Sequence, residues 1–369
     1  MNLQYKIGNQ SHYICYLKNN YNQISRDIDK LKSDKKLLFL FDKNVSQEIR
    51  NKVVTALKFS GCKVFEIEFI GSKKNKSLKA VLKIIDFMIS KGFTRKSTIL
   101  SMGGGVLGDL SALASSLYMR GTIYFHIPTT MTSMVDSAIG GKTAVNYQNI
   151  INSIGTYYHA NKVYILNDII KLLPYREFNS GLPEILKCGL LKDKSIIKIL
   201  KNNHELIKKK NTKYVKDLCF RSLRIKINFF KNDIMEKRER LMLNFGHTFA
   251  HAIEMALEKN NSKNFEILRH GEAVGIGLLC ELYYASNLKE NKLIKTTKEI
   301  LNLYKLPINL KFINLNQSNL QNDIFKFLFL DKKKINKHPR YIKLINFGKP
   351  TIEEMPDYDK INFIIRKIL

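Results

Sequence analysis

The sequence predicts an α/β protein: an N-terminal Rossmann-like domain over residues 1–170, then a mainly α-helical C-terminal domain over residues 171–369, with the active site in the cleft between them. Three observations predict it. Short apolar runs alternate with helix-length amphipathic segments in the first half, the pattern of a parallel sheet with helices on its faces. One of those runs leads straight into Gly103-Gly104-Gly105. From about Ile169 onward long helical patterns take over, and a length of 369 residues favours two domains over one.

In order along the chain, Leu37–Phe41 and Val64–Phe69 read as strands, and Ser77–Ser90 as a helix carried by Leu78, Val81, Leu82, Ile85 and Met88. Ser97–Met102 is a strand, Gly108–Tyr118 a helix of small residues, and Thr122–Ile127 and Val163–Leu166 further strands. The second half reads as helices at Ile185–Leu191, Ser195–Lys209, Val215–Phe230, Thr248–Glu258 and Ala273–Ser286. Short strands return around Tyr341–Phe347, and no repeat of solenoid period is present.

Composition sets the class. With 44% hydrophobic and 25% charged residues, the chain is globular rather than collagen-like, coiled-coil or wholly disordered. The net charge of +30 suggests a nucleic-acid binder, but 50 of the 62 basic residues are Lys and only 12 are Arg. The lysines are spread among Asn and Ile, whereas contacts to phosphate and base edges favour Arg. A solvated lysine surface is therefore expected, with no nucleic-acid partner, although such a charge would concentrate an anionic substrate. Cys15, Cys62, Cys188, Cys219 and Cys280 lack CxxC spacing, which indicates reduced thiols. MNLQYKIGNQ has no apolar leader and no run is long enough for a membrane span, so a cytoplasmic protein without a membrane partner is expected.

Four stretches can carry chemistry. Gly105, Val106, Leu107, Gly108 and Asp109 follow a strand and open a helix, so their backbone N–H groups suit an anion such as a pyrophosphate. The stretch is neither GxGxxG nor a P-loop, and a packing turn is the alternative. Pro128 to Thr143 crowds Thr129, Thr130, Thr132, Ser133, Asp136 and Lys142 into a loop leaving a strand; it is either a ligand loop or a polar helix cap. In RLMLNFGHTFAHAIEMALE, a continuous helix would align Arg240, Asn244, His247, His251, Glu254 and Glu258 in one polar stripe. A helix starting near Gly246 would instead bring Arg240 and Asn244 in by another route. His247 and His251 are spaced to reach one metal ion, or are a solvated pair. His270 opens a further predicted helix, and Glu184 and Lys187 lie three apart on an apolar one. One Glu and two His would complete a three-ligand zinc set with an open position.

Together GGGVLGD, YMRG, PTT…VDSAIGGKTAVN, ExxKCGLL, LNFGHTFAHAIE, HGEAVGIG and a late LDKK resemble, in order, the 3-dehydroquinate synthase family of sugar-phosphate cyclases. The resemblance implies that Gly105 to Asp109, Thr129, Thr130 and Lys142 serve NAD, and that Glu184, His247 and His270 bind zinc, with cobalt as an alternative. It places Asp136, Lys142, Asn152, Lys187, Lys226, Arg240, Asn244 and His251 around a sugar-acid phosphate, with Lys332 or Lys333 closing the pocket. Arg120 would reach the site from the partner subunit of a homodimer. The implied reaction turns 3-deoxy-arabino-heptulosonate 7-phosphate into 3-dehydroquinate and phosphate through transient oxidation at C5, phosphate elimination, re-reduction and internal aldol closure.

Two departures from the family pattern bear on NAD. Ile151 precedes Asn152 where the family has a lysine, and Lys73 stands where an acid for the adenosine ribose is expected. Rival readings are a cyclase for a neutral sugar phosphate, against which Arg240 speaks, a metal-dependent alcohol dehydrogenase of related architecture, a basic nucleic-acid-binding protein, and a decayed enzyme.

Overall fold

The apolar runs of the first half assemble into a seven-stranded sheet. A computed structural model describes residues 2–31, 33–148, 150–261, 267–330 and 338–369. Its strands, in chain order, are β1 (Asn2–Ile7), β2 (Gln10–Leu17), β3 (Lys36–Asp42), β4 (Lys63–Phe69), β5 (Thr98–Gly103), β6 (Ile123–Pro128), β7 (Lys142–Tyr147), β8 (Ile150–Tyr157) and β9 (Lys162–Leu166). The sheet order is β1-β2-β9-β6-β5-β3-β4, and every pairing except β1 with β2 is parallel. β3, KLLFLFD, lies between β5 and β4 and is buried from Leu37 onward, as a strand covered on both faces must be. β4 is the edge, and its VFEIEF alternates between half-buried and exposed.

Two hairpins add to the predicted strands. β1 and β2 turn through Gly8-Asn9, with Gly8 at φ +54°, a conformation open to glycine. β7 and β8 pair with each other in a separate two-stranded ribbon. The glycine-rich helix spans Gly105–Leu117 and starts earlier than the sequence suggests, because Gly104 already takes the N-cap position. Ser133–Ser137, read as loop, is a turn of π-helix closed by Ala138 N–H donating to Ser133 O at 3.0 Å. Such turns recur at functional sites.

The chain divides into two units, 1–174 with 230–235, and 175–229 with 236–369. The second is mainly helical, with Leu182–Leu191, Lys194–Asn202, His204–Lys208, Thr212–Phe230, His247–Asn260, His270–Ala285, Lys292–Leu303, Gln317–Leu328 and Tyr358–Ile368, and one small hairpin of β10 (Arg340–Leu344) and β11 (Pro350–Glu354). The single helix predicted over Ser195–Lys209 is broken at Asn203, which leaves helical geometry at φ −117°, ψ 20°. The sequence Lys201-Asn202-Asn203 favours this break, since Asn competes for backbone hydrogen bonds, and His204 Nδ1 reaches Lys201 O at 2.9 Å.

At the centre of this unit the His270–Ala285 helix is buried from Gly271 through Tyr284. It packs on the Leu182–Leu191, His247–Asn260, Lys292–Leu303 and Tyr358–Ile368 helices and on β10. All five cysteines are free thiols; Cys188, Cys219 and Cys280 are buried, one on each of three helices. Burial pushes the Cys219 thiol up to about 12. Among the described residues no helix is long and apolar enough to cross a membrane.

Candidate active site

In the first unit, two of the motifs meet at the carboxyl ends of β5 and β6, the edge where open parallel sheets bind ligands. Thr129 N–H donates to Gly103 O at 3.0 Å. A Cβ on Gly104 would lie 2.9 Å from Thr130 Cγ2, and one on Gly105 3.1 Å from Ser137 Oγ, so glycine is what lets the turn and the Thr129-Thr130 loop approach. Thr130 is itself fixed by mutual bonds with Ser133.

No side chain caps the Gly105–Leu117 helix, and its first-turn N–H groups on Gly105, Val106 and Leu107 have no partner within the helix. Leu107 packs its side chain in the core, so only its backbone can face a ligand. The donors and the positive helix end fit a pyrophosphate.

Asp109, two residues beyond Leu107 on the same helix, meets Lys76 Nζ at 2.6 Å. Burial raises the carboxyl of Asp109 and Lys76 works against that shift. The same Nζ donates to Asn152 Oδ1 at 2.6 Å, and Asn152 holds a left-handed φ of +52°. Lys76 was not among the residues singled out by sequence; its signal was the Lys-Ser pair of KKNKS standing just ahead of the helix capped by Ser77. Ile151 is exposed beside Asn152, and Lys73 begins the short turn Lys73–Asn75.

Behind the turn lies a cavity of about 20 Å³, lined by Gly108, Asp109, Tyr124, His126, Ser137 and Lys142 among others. His126 is buried there, its Nδ1 2.7 Å from Ser101 Oγ, and desolvation pushes its pKa down to about 4. Asp136 sits half-buried in the π-turn, and Lys142 starts β7. Arg120 is exposed in a turn where both Met119 and Arg120 have positive φ, 50° and 60°. Two adjacent non-glycine residues in that region are strained.

In the second unit, Glu184, His247 and His270 converge, with one ligand atom from each within 4.8 Å of the others. The local sequence explains how. Glu184 lies in the first turn of the buried Leu182–Leu191 helix, and each histidine is the first residue of its own helix. Gly246 precedes His247 at φ +82°, and a Cβ on Gly277 would fall 1.9 Å from Gly246 O. The two histidine-bearing helices therefore touch backbone to backbone.

Both rings point the same way. His247 Nδ1 lies 3.2 Å from Phe245 O, and His270 Nδ1 lies 3.3 Å from both oxygens of Glu254. Each Nε2 then faces Glu184 Oε1, at 3.4 Å from His247 and 3.5 Å from His270. Lys187 Nζ is 2.5 Å from the other oxygen, Oε2. Neither buried oxygen of Glu184 accepts a hydrogen bond of good geometry. Burial opposes charge on Glu184, but Lys187 and His247 hold its carboxyl well below the usual range. Burial and Lys187 lower His247, whereas Glu254 and Glu184 overcome burial at His270 and raise it to about 10. The pocket favours a cation, and two imidazole Nε2 atoms with one carboxylate oxygen are a zinc donor set.

His251 flanks this group, its ring centroid 5.5 Å from His247 and 6.2 Å from His270. Arg240 and Asn244 do not continue the helical stripe. They lie in a separate 3-10 segment, Glu239–Asn244, which packs on the Leu182–Leu191 helix and on β10 and β11. Arg240 is buried and Asn244 Nδ2 donates to Glu236 Oε1 at 2.7 Å. Lys226 is buried on the Thr212–Phe230 helix. Lys332 and Lys333 lie outside the described residues.

Residues 66–180 match the family described as 3-dehydroquinate synthase N-terminal, and residues 181–334 that described as 3-dehydroquinate synthase C-terminal. The chain is 32% identical over 357 residues to the 3-dehydroquinate synthase of Clostridium beijerinckii, covering 95% of this chain and 96% of that one. It is 33% identical over 354 residues to that of Thermodesulfovibrio yellowstonii, covering 95% of each. A solved 2-deoxy-scyllo-inosose synthase, complexed with carbaglucose-6-phosphate, NAD+ and Co2+, shares the fold over the whole of both chains, with a TM-score of 0.85 at 23% identity. The chain belongs to the 3-dehydroquinate synthase family.

Proposed function

We propose that this chain is a 3-dehydroquinate synthase, a lyase that converts 3-deoxy-D-arabino-heptulosonate 7-phosphate to 3-dehydroquinate and phosphate without net consumption of NAD. The observation that carries this reading is the aim of His247 Nε2 and His270 Nε2 at Glu184 Oε1. The His270 side chain is 35% exposed, which leaves an open side for substrate oxygens. When bound, NAD would take and return a hydride at C5, and zinc, or cobalt in its place, would polarise the oxygens at C4 and C5.

The chain's own residues bind and orient. The N–H groups of Gly105, Val106 and Leu107 would hold the cofactor pyrophosphate, with Gly108, Asp109, Thr129, Thr130 and Lys142 alongside. Lys142 would also meet the substrate phosphate as a point charge, with Asp136 and Asn152 beside it. In the second unit Arg240 would grip the carboxylate through two parallel hydrogen bonds, supported by Lys187, Lys226 and Asn244. His251, beside the two ligand histidines, would move a proton near neutral pH. Arg120 would act across the interface of a homodimer, and the enzyme would work in the cytoplasm.

The test is phosphate release from the heptulosonate phosphate by purified protein with NAD and zinc. Release that stops on chelation, returns with zinc and leaves no net NADH supports the reading. Release from a neutral sugar phosphate instead, or steady accumulation of NADH, overturns it.

A further inference from the structure

Glu254 has no role in the reading above, yet it faces the ligand set. On the His247–Asn260 helix it lies two turns beyond His247 and three residues beyond His251, on the same face. Its side chain is 12% exposed, and both carboxylate oxygens sit 3.3 Å from His270 Nδ1, across from the Nε2 that faces Glu184. His270 receives backbone support from a different source. Glu272 Oε2 accepts from Arg269 N–H at 2.9 Å, and Arg176 holds Glu272 with two bonds of 2.7 Å. The helix start is thus fixed by Arg176 and Glu272, while the rotation and tautomer of the ring are left to Glu254.

We propose that Glu254 is a positioning residue for the metal: it accepts the Nδ1–H of His270 and so presents the Nε2 lone pair to the ion. The inference rests on the metal-site reading above and adds a residue to it. A carboxylate behind a histidine ligand fixes the ring and makes the coordinating nitrogen more basic. The other ligand, His247, has the neutral Phe245 carbonyl at the same place, so among the described residues the two histidines are supported unequally.

The experiment measures zinc affinity of the full chain by competition with a chromophoric chelator, for the parent, E254Q, E254A and E258Q. Glu258 is exposed one turn further along the same helix and serves as the control. Loss of affinity on the order of 10- to 100-fold is expected for E254A, less for E254Q, whose amide oxygen can still accept the N–H, and little for E258Q. Cobalt-loaded E254Q should show a shifted visible ligand-field spectrum, which a merely structural role would leave in place. Metal-free thermal unfolding of E254Q should match the parent, which separates ring positioning from folding. Zinc binding by E254A within about threefold of the parent overturns the inference and leaves the metal site standing. A parent protein that binds no zinc overturns both.

Discussion

Lys76 Nζ lies 2.6 Å from Asp109 Oδ2, tying the segment ahead of the Leu78–Ser90 helix to the start of the second turn of the Gly105–Leu117 helix. The same ammonium group reaches Asn152, one residue after the position where the family carries its lysine. A cation is thus already present beside the turn, supplied from elsewhere in the chain.

K76M should therefore weaken NAD binding by about tenfold or more, the effect of losing a charge-assisted contact and of leaving a mostly buried Asp109 without that cation. Restoring the family residue with I151K should change the dissociation constant by less than about threefold, because Lys76 already occupies the neighbourhood. Calorimetric titration of NAD into the three proteins checks both. A larger gain in I151K than loss in K76M would show that Ile151 is an uncompensated defect.

Gly277 marks a close backbone approach between the two histidine-bearing helices. G277A puts a Cβ 1.9 Å from Gly246 O, a backbone atom that cannot swing away. It should cost about 3 kcal/mol in urea unfolding and weaken zinc binding. G275A is the comparison. Its Cβ would meet Leu301 Cδ2 at 3.1 Å and Pro183 Cγ at 3.5 Å, so the cost should stay below about 1 kcal/mol. Equal losses in the two variants would rule out the close approach as the cause, since alanine is favoured over glycine inside a helix and propensity alone predicts a gain in both.

His126 makes the first unit sensitive to acid. Its pKa is pushed down to about 4 from an ordinary 6.5, because burial disfavours the imidazolium. As pH falls through 6.5 the unfolded chain takes up a proton and the folded chain does not, so stability is lost between about 6.5 and 4. The loss from this group is about 3 kcal/mol at full titration. H126N, which can keep the bond to Ser101, should flatten that part of the profile; denaturant unfolding at pH 7.5 and pH 5 measures it. An unchanged slope would assign the acid sensitivity to other groups.

The central strands were legible because strands buried on both faces are written as unbroken apolar runs, as in Leu37–Phe41. β1 and β2 were not, since tyrosines, His12 and polar residues interrupt both strands and only Gly8-Asn9 marks their turn. The HxxxH spacing suggested His247 and His251 as co-ligands, but spacing along one helix cannot show which groups other helices bring. The structure sets His247 and His270 facing Glu184, with His251 beside them. Lys76 escaped notice, and Glu254 was placed on the polar stripe without its partner, for the same reason: each takes its meaning from a residue 33 or 16 positions away, Asp109 for Lys76 and His270 for Glu254. The stop at Gly246 could be read in advance as an alternative, since glycine at a helix start permits the left-handed geometry found there.

The sealed thiols make the second unit its own recorder of breathing. Cys188 shares a helix with Glu184 and Cys280 shares one with His270, while Cys219 rides on Thr212–Phe230, which carries none of the three ligands. An alkylating reagent reaches each sulfur only when its helix parts from the core, so the three labelling rates time three local openings. Zinc should slow Cys188 and Cys280 together and leave Cys219 to follow global unfolding. The protein thus carries, at no cost in engineered probes, a clock on two of the three helices that the ion fastens and one on a helix that it does not.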